Sequence, residues 1–159
     1  MVLDIKQKFL TFQLGSKDTA VISLANIIEV LQISASEICG VPQMPSYIYG
    51  VYNWRGEMVW LIDLEAMLGY SSSRKISSLI PKIITIIVQH EGKSLGLLVN
   101  QLMDIDYLDV SQIKPANTEL FPAAINSVLA GYFIGKNEEI ILSLDALAIL
   151  QSPNWNLHN

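Results

Sequence analysis

Two copies of one pattern, 75 residues apart, constrain this chain more than any other feature. Phe9-Leu10-Thr11-Phe12-Gln13-Leu14 lies over Ile84-Thr85-Ile86-Ile87-Val88-Gln89. At the same offset, Ile28-Glu29-Val30 falls on Met103-Asp104-Ile105, and Ser36-Glu37-Ile38 falls on Ser111-Gln112-Ile113. After a shift of six, Ser46-Tyr47-Ile48-Tyr49-Gly50 lies over Ser127-Val128-Leu129-Ala130-Gly131. Val59–Leu64 and Ile140–Asp145 close the two copies in the same way.

Each copy reads as short strands joined by turns. Leu10, Phe12 and Leu14 alternate with Thr11 and Gln13, the period of a strand with one buried face. Gly15-Ser16-Lys17-Asp18 is a turn, and Val21–Leu24 returns. Ile83–Val88 and Leu95–Val99 flank Glu91-Gly92-Lys93, while Val51-Tyr52 and Met58–Ile62 flank Asn53–Glu57. Tyr132–Ile134 and Ile140–Leu142 flank Gly135-Lys136-Asn137. Short helices follow the last strand of each copy: Asp63 caps Leu64–Leu68, with Gly69 ending it, and Ser143 or Asp145 starts a helix through Leu150.

The copies meet at Tyr70–Ser78, where Ser71-Ser72-Ser73 signals a loop. The expectation is a mainly β domain over residues 7–152 with a tail at 153–159. It would hold two small barrels side by side, near 9–70 and 79–150, with exchange of strands between them allowed. Each copy is marginal alone, so a shared interface is expected. The chain is 51% hydrophobic and 16% charged, enough to build a core without metal or disulfide.

The search for chemistry is thin. A net charge of −5 argues against nucleic acid and against an anionic membrane surface. No apolar run approaches a membrane span, so no direct membrane insertion is expected. The single cysteine, Cys39, permits no internal disulfide and fits a reducing, cytoplasmic location. Neither His90 nor His158 has a partner at metal-ligand spacing, and no phosphate-cradling glycine loop occurs. Asp63 and Asp145 hold equivalent positions, which favours capping over acid–base work, and Asp104, Asp106 and Asp109 read as a solvated edge. No catalytic residue, cofactor or metal is assigned, and the chain reads as a binding protein.

One segment is distinctive: Val41-Pro42, then Pro45-Ser46-Tyr47-Ile48-Tyr49-Gly50-Val51-Tyr52-Asn53-Trp54-Arg55-Gly56-Glu57, then Val59–Leu64. Gly50 permits a close backbone approach, and Arg55-Gly56 forms a hairpin tip from which Arg projects. This segment resembles the signature of the CheW family, adaptors that couple chemoreceptors to the histidine kinase CheA. The resemblance runs from about Phe9 to Leu150. It includes Phe12-x-Leu14-Gly15, Leu95-Gly96-Leu97-Leu98-Val99 and Gln112-Ile113-Lys114-Pro115-Ala116. Three features depart from the family pattern: Trp54 in place of an aliphatic residue, Asn100 in place of Asp, and the loop Asn117–Asn126.

The resemblance implies two five-stranded SH3-like barrels with a few short helices, and no catalysis. It implies two partners, the cytoplasmic tip of a chemoreceptor in the groove between barrels and the regulatory domain of a CheA-type kinase. Carried onto this sequence, Arg55 is the first candidate contact. Ile27 and Glu29 face the groove, Tyr47, Ile48 and Val51 form a kinase-facing patch, and Lys114 and Phe121 serve a second contact. Asn53, Gly50 and Gly56 are structural. Trp54, at the hairpin tip, is expected to be exposed and to touch a partner, whereas Trp60 is expected in the core. Three readings compete with the adaptor: a paralogue that binds a kinase without receptors, a small β-barrel ligand module, and a homo-oligomer joined by strand edges.

Overall fold

The computed structural model describes residues 6–70 and 82–152. The expected serine loop at 71–73 and the tail at 153–159 lie outside the described residues. Ten strands form: β1 (Lys6–Leu14), β2 (Asp18–Ser23), β3 (Ile27–Ile33), β4 (Ile48–Trp54), β5 (Glu57–Asp63), β6 (Ile83–His90), β7 (Lys93–Val99), β8 (Leu102–Asp109), β9 (Leu129–Ile134) and β10 (Ile140–Leu144). Three short helices accompany them: α1 (Leu64–Met67), α2 (Ala123–Asn126) and α3 (Ala146–Leu150). Asp63 caps α1 by accepting from the Ala66 N–H, and Asp145 caps α3 by accepting from Leu147 and Ala148. Ser143 lies within β10.

The strands make two five-stranded sheets, β8-β1-β2-β10-β9 and β3-β6-β7-β5-β4. Neither sheet coincides with 9–70 or 79–150, because each half lends its first hairpin to the other. Hairpin β1–β2 joins β8, β9 and β10, while β6–β7 joins β3, β4 and β5. Each lent hairpin joins its sheet by one parallel pair, β2 beside β10 and β7 beside β5, and one antiparallel pair, β1 beside β8 and β6 beside β3. The physical gain is burial on both faces of the lent hairpins. Leu10, Phe12 and Leu14 of β1 enter a core shared by both sheets, with Ile86, Val88, Leu95 and Leu97 from the other pair. The opposite faces fill the interior of each sheet: Phe9, Val21 and Phe133 in the first, Ile33, Leu61, Ile87 and Leu98 in the second. Each large apolar side chain buried this way contributes about 1.5–3 kcal/mol. The shared interface expected from the small size of each copy is therefore the largest part of the core.

The barrels are not closed by full ladders. After β3 the chain makes a 3-10 turn at Ala35–Glu37, and Cys39 bridges back to Val51 on β4. After β8 it makes the same turn at Val110–Gln112, and Lys114 bridges to Tyr132 on β9. Both bridges need glycine beside them. Gly50 has φ +147°, and an added Cβ would lie 2.2 Å from the Cys39 carbonyl oxygen. Gly131 has φ +157°, and a Cβ there would lie 2.4 Å from the Lys114 carbonyl oxygen. Gly50→Ala should cost about 1–3 kcal/mol from the backbone conformation alone, before the displaced bridge is counted. A urea titration checks this, and an unchanged midpoint would show that the bridge tolerates a side chain.

Candidate partner-binding site

The β4–β5 hairpin turns on Arg55 and Gly56, with φ +52° and +83°. Two successive positive φ values are the mark of a type I′ turn, whose twist matches the flanking strands. The Asn53 carboxamide oxygen accepts from the Gly56 N–H at 3.0 Å, so Asn53 braces the turn.

Trp54 is not exposed. The exposure expected from its place at the tip is not found: Trp54 points inward and is 6% exposed, packed in the second sheet's interior. The reason is strand alternation. Trp54 shares a face of β4 with Tyr52, the face that packs in the second sheet's interior, leaving Arg55 to project. Its indole N–H donates to Glu29 Oε1 at 2.8 Å, and Arg55 Nη2 meets the other oxygen, Oε2, at 3.4 Å. The Arg55 guanidinium lies 4.9 Å from the Trp54 ring centroid. One carboxylate on β3 thus joins the two tip residues. Arg55 remains largely open, with its side chain 62% exposed, and an exposed pair of this kind stabilises by about 0–1 kcal/mol. The surroundings are acidic: burial first, then Glu37 and Glu29, push the Tyr52 phenol above its usual range.

The other expected contacts divide. Ile48 is buried, 7% exposed within the shared core, and does not form a surface patch. A bulge between Ile48 and Gly50 decides this, turning Ile48 with its partner Ile62 toward the shared core, on the face of β4 opposite Trp54. Tyr47 and Ile27 are half-buried against the shared core, as is Trp60. Val51 is half-buried and holds the bridge to Cys39. Lys114 is exposed, and Phe121 is half-buried with its ring 5.5 Å edge-on to Tyr132. Phe121 also lines an apolar cleft of about 430 Å³ with Leu68, Leu120, Pro122 and Leu142. At the cleft's rim the Tyr70 hydroxyl donates to Asp18, and burial with that carboxylate drives the phenol's pKa upward. The structure therefore gathers Arg55, Glu29 and Trp54 at one point, and Lys114, Phe121 and Tyr132 at another.

Two exposed apolar stripes escaped the sequence reading. On β8, Met103, Ile105 and Tyr107 are 55%, 50% and 62% exposed, and on β3, Ile28 and Val30 are 42% and 39% exposed. The neighbouring Asp106, expected to be solvated, accepts from the buried Thr11 hydroxyl at 2.5 Å. The period-two spacing of Met103, Ile105 and Tyr107 was a usable signal. It could not say that their face was left open, which depends on β8 being an edge strand.

Among the described residues, no group of three His, Cys, Asp or Glu side chains is placed to hold a metal, and no helix is long and apolar enough to cross a membrane. Residues 8–154 match the CheW-like domain model. The "Probable chemotaxis protein CheW" of Rhizobium etli is 28% identical over 145 residues, covering 89% of this chain and 86% of that protein. The "Chemotaxis protein CheW" of Klebsiella aerogenes is 26% identical, covering 96% of this chain and 87% of that protein. Among solved structures, the scaffolding protein TtCheW from Thermoanaerobacter tengcongensis superposes with a TM-score of 0.71 at 22% identity, covering 88% of this chain and 89% of that one. On the extent of the domain match, this chain belongs to the CheW-like family.

Proposed function

We propose that this chain is a non-catalytic chemotaxis adaptor that couples receptors to a CheA-type histidine kinase at the cytoplasmic face of the membrane. The observation that carries the reading is the pair of exposed apolar stripes on β3 and β8. Each continues outward from the shared core: Val30 stands beside Ile86, and Ile105 beside Leu10. An amphipathic helical hairpin, such as a receptor's cytoplasmic tip, buries its apolar face against walls of this kind. The open guanidinium of Arg55 supplies a directional polar contact at the end of β4, and Lys114 with Phe121 supports a second contact on the other sheet.

The test is an interferometry titration of the chain against two probes, a receptor hairpin tip and a kinase regulatory domain. Saturable binding of both is expected. Ile105→Asp should weaken the receptor probe about tenfold, roughly 1.4 kcal/mol, and leave the kinase probe unchanged. A folded chain that binds neither probe would overturn the reading. Binding of the kinase domain alone would instead support a paralogue that does not engage receptors.

A further inference from the structure

Glu65 is a buried carboxylate that neither candidate contact uses. It lies in α1 and is 3% exposed. Its Oε1 accepts from the Gly15 N–H at 2.9 Å, in the turn between β1 and β2. Its Oε2 accepts from the Asn100 carboxamide at 2.8 Å, in the connection between β7 and β8. These three positions belong to different parts of the fold. Helix α1 continues β5 of the second sheet, Gly15 follows β1 of the first, and Asn100 lies where the chain crosses from the second sheet to the first. Around the same point Tyr70 donates its N–H to the Glu65 carbonyl and lays its ring over Gly15, where an added Cβ would come within 2.8 Å of it.

Two features make this more than general packing. Hydrogen bonds to a carboxylate are the strong ones, and they strengthen where water is excluded. Asn100 is also only two residues ahead of β8, the strand that carries Met103, Ile105 and Tyr107. A shift of Asn100 passes directly to the start of that strand. An asparagine at this position has the N–H that Glu65 requires, which a carboxylate lacks.

We propose that Glu65 is a positioning residue for the docking strand β8. By clasping Gly15 and Asn100 to α1, it sets where the β8 stripe stands relative to β3. The docking part of this statement rests on the adaptor reading; the clasp itself does not.

The test uses the full chain, amide hydrogen exchange, and the receptor hairpin tip as binding probe. Asn100→Asp sets two carboxyl groups against each other, and at contact distance both cannot stay ionised without cost. Amides of β8 should then exchange about tenfold faster, while those of Ile86 and Leu97 hold their wild-type rates. The double variant Glu65→Gln with Asn100→Asp should restore protection. The new glutamine oxygen accepts from Gly15, and its amide donates to the new aspartate. Affinity for the hairpin tip should fall about tenfold in the single variant and return in the double. If Asn100→Asp does not fold, Asn100→Ala removes the donor without adding charge and is read in the same way. Wild-type exchange rates in β8 for either single variant, or no recovery in the swap, would overturn the clasp. Failure of the wild-type chain to bind the hairpin tip would remove the adaptor reading and the docking role with it, while the exchange data would still decide the clasp.

Discussion

Trp54→Ala is expected to destabilise the fold by about 3–5 kcal/mol, the usual range for emptying a core aromatic site. The ring fills the interior of the second sheet with Ile33, Val59, Leu61, Ile83, Ile87 and Leu98. Truncation leaves that space open and removes the donor on Glu29 Oε1. For a chain of this size the loss corresponds to a fall in Tm of roughly 6–20 °C. Trp54→Phe separates the two contributions. It keeps most of the packing and loses the indole N–H, so its cost should lie nearer the roughly 1–3 kcal/mol of a hydrogen bond to a partly exposed carboxylate. Calorimetry on both variants provides the check. A Tm unchanged in Trp54→Ala, together with weaker partner binding, would return this residue to the surface role that its place at a hairpin tip suggested.

Arg55→Ala, one residue along, should do the opposite. Its ion pair with Glu29 is exposed and stabilises little, and stacking on Trp54 adds about 0.5–1 kcal/mol at most. Stability should therefore change by roughly 1 kcal/mol, and by no more than about 2 kcal/mol if the two contributions add in full. Binding should suffer more. An exposed arginine held in a fixed direction by a carboxylate and an indole loses little freedom when it is captured, which is the usual character of a hot spot. A loss of about 2 kcal/mol, roughly thirtyfold, is expected for whichever partner touches it. Titrating the receptor tip and the kinase domain in parallel identifies that partner. Arg55→Lys keeps the charge but not the planar stack, and should recover only part of the affinity. Unchanged affinity for both partners in Arg55→Ala would leave Arg55 as a brace of the hairpin and nothing more.

The contrast between these neighbours shows where sequence reasoning reaches its limit. Their position at the tip was legible from Asn53-x-Arg55-Gly56, because a two-residue turn needs positive φ and Gly supplies it. Which of the two points inward was not read, although the alternation of Tyr52, Asn53 and Trp54 carried the information. A tip tryptophan suggested exposure by its type, and parity outweighed type. Ile48, expected on a surface patch, is also buried, but there a bulge between Ile48 and Gly50, which no alternation announces, turns it into the shared core.

The sequence by itself determined the local structure. The offset of 75 residues announced two equivalent sets of strands, and Gly50 and Gly131 indeed hold equivalent bridges. Asp63 and Asp145 were legible as caps, because an N-cap needs only a short polar side chain beside its own helix. The tertiary structure alone decided how those pieces pair. Alternation tells a strand that it has faces but not which sheet will cover them, so the exchange of β1–β2 for β6–β7 left no local mark. It also decided that β8 would be an edge with Met103, Ile105 and Tyr107 left open, and that Glu65 would meet Gly15 and Asn100. Those contacts join residues 50 and 35 positions apart, and such distant groups find one another only when a common core has already brought their strands together.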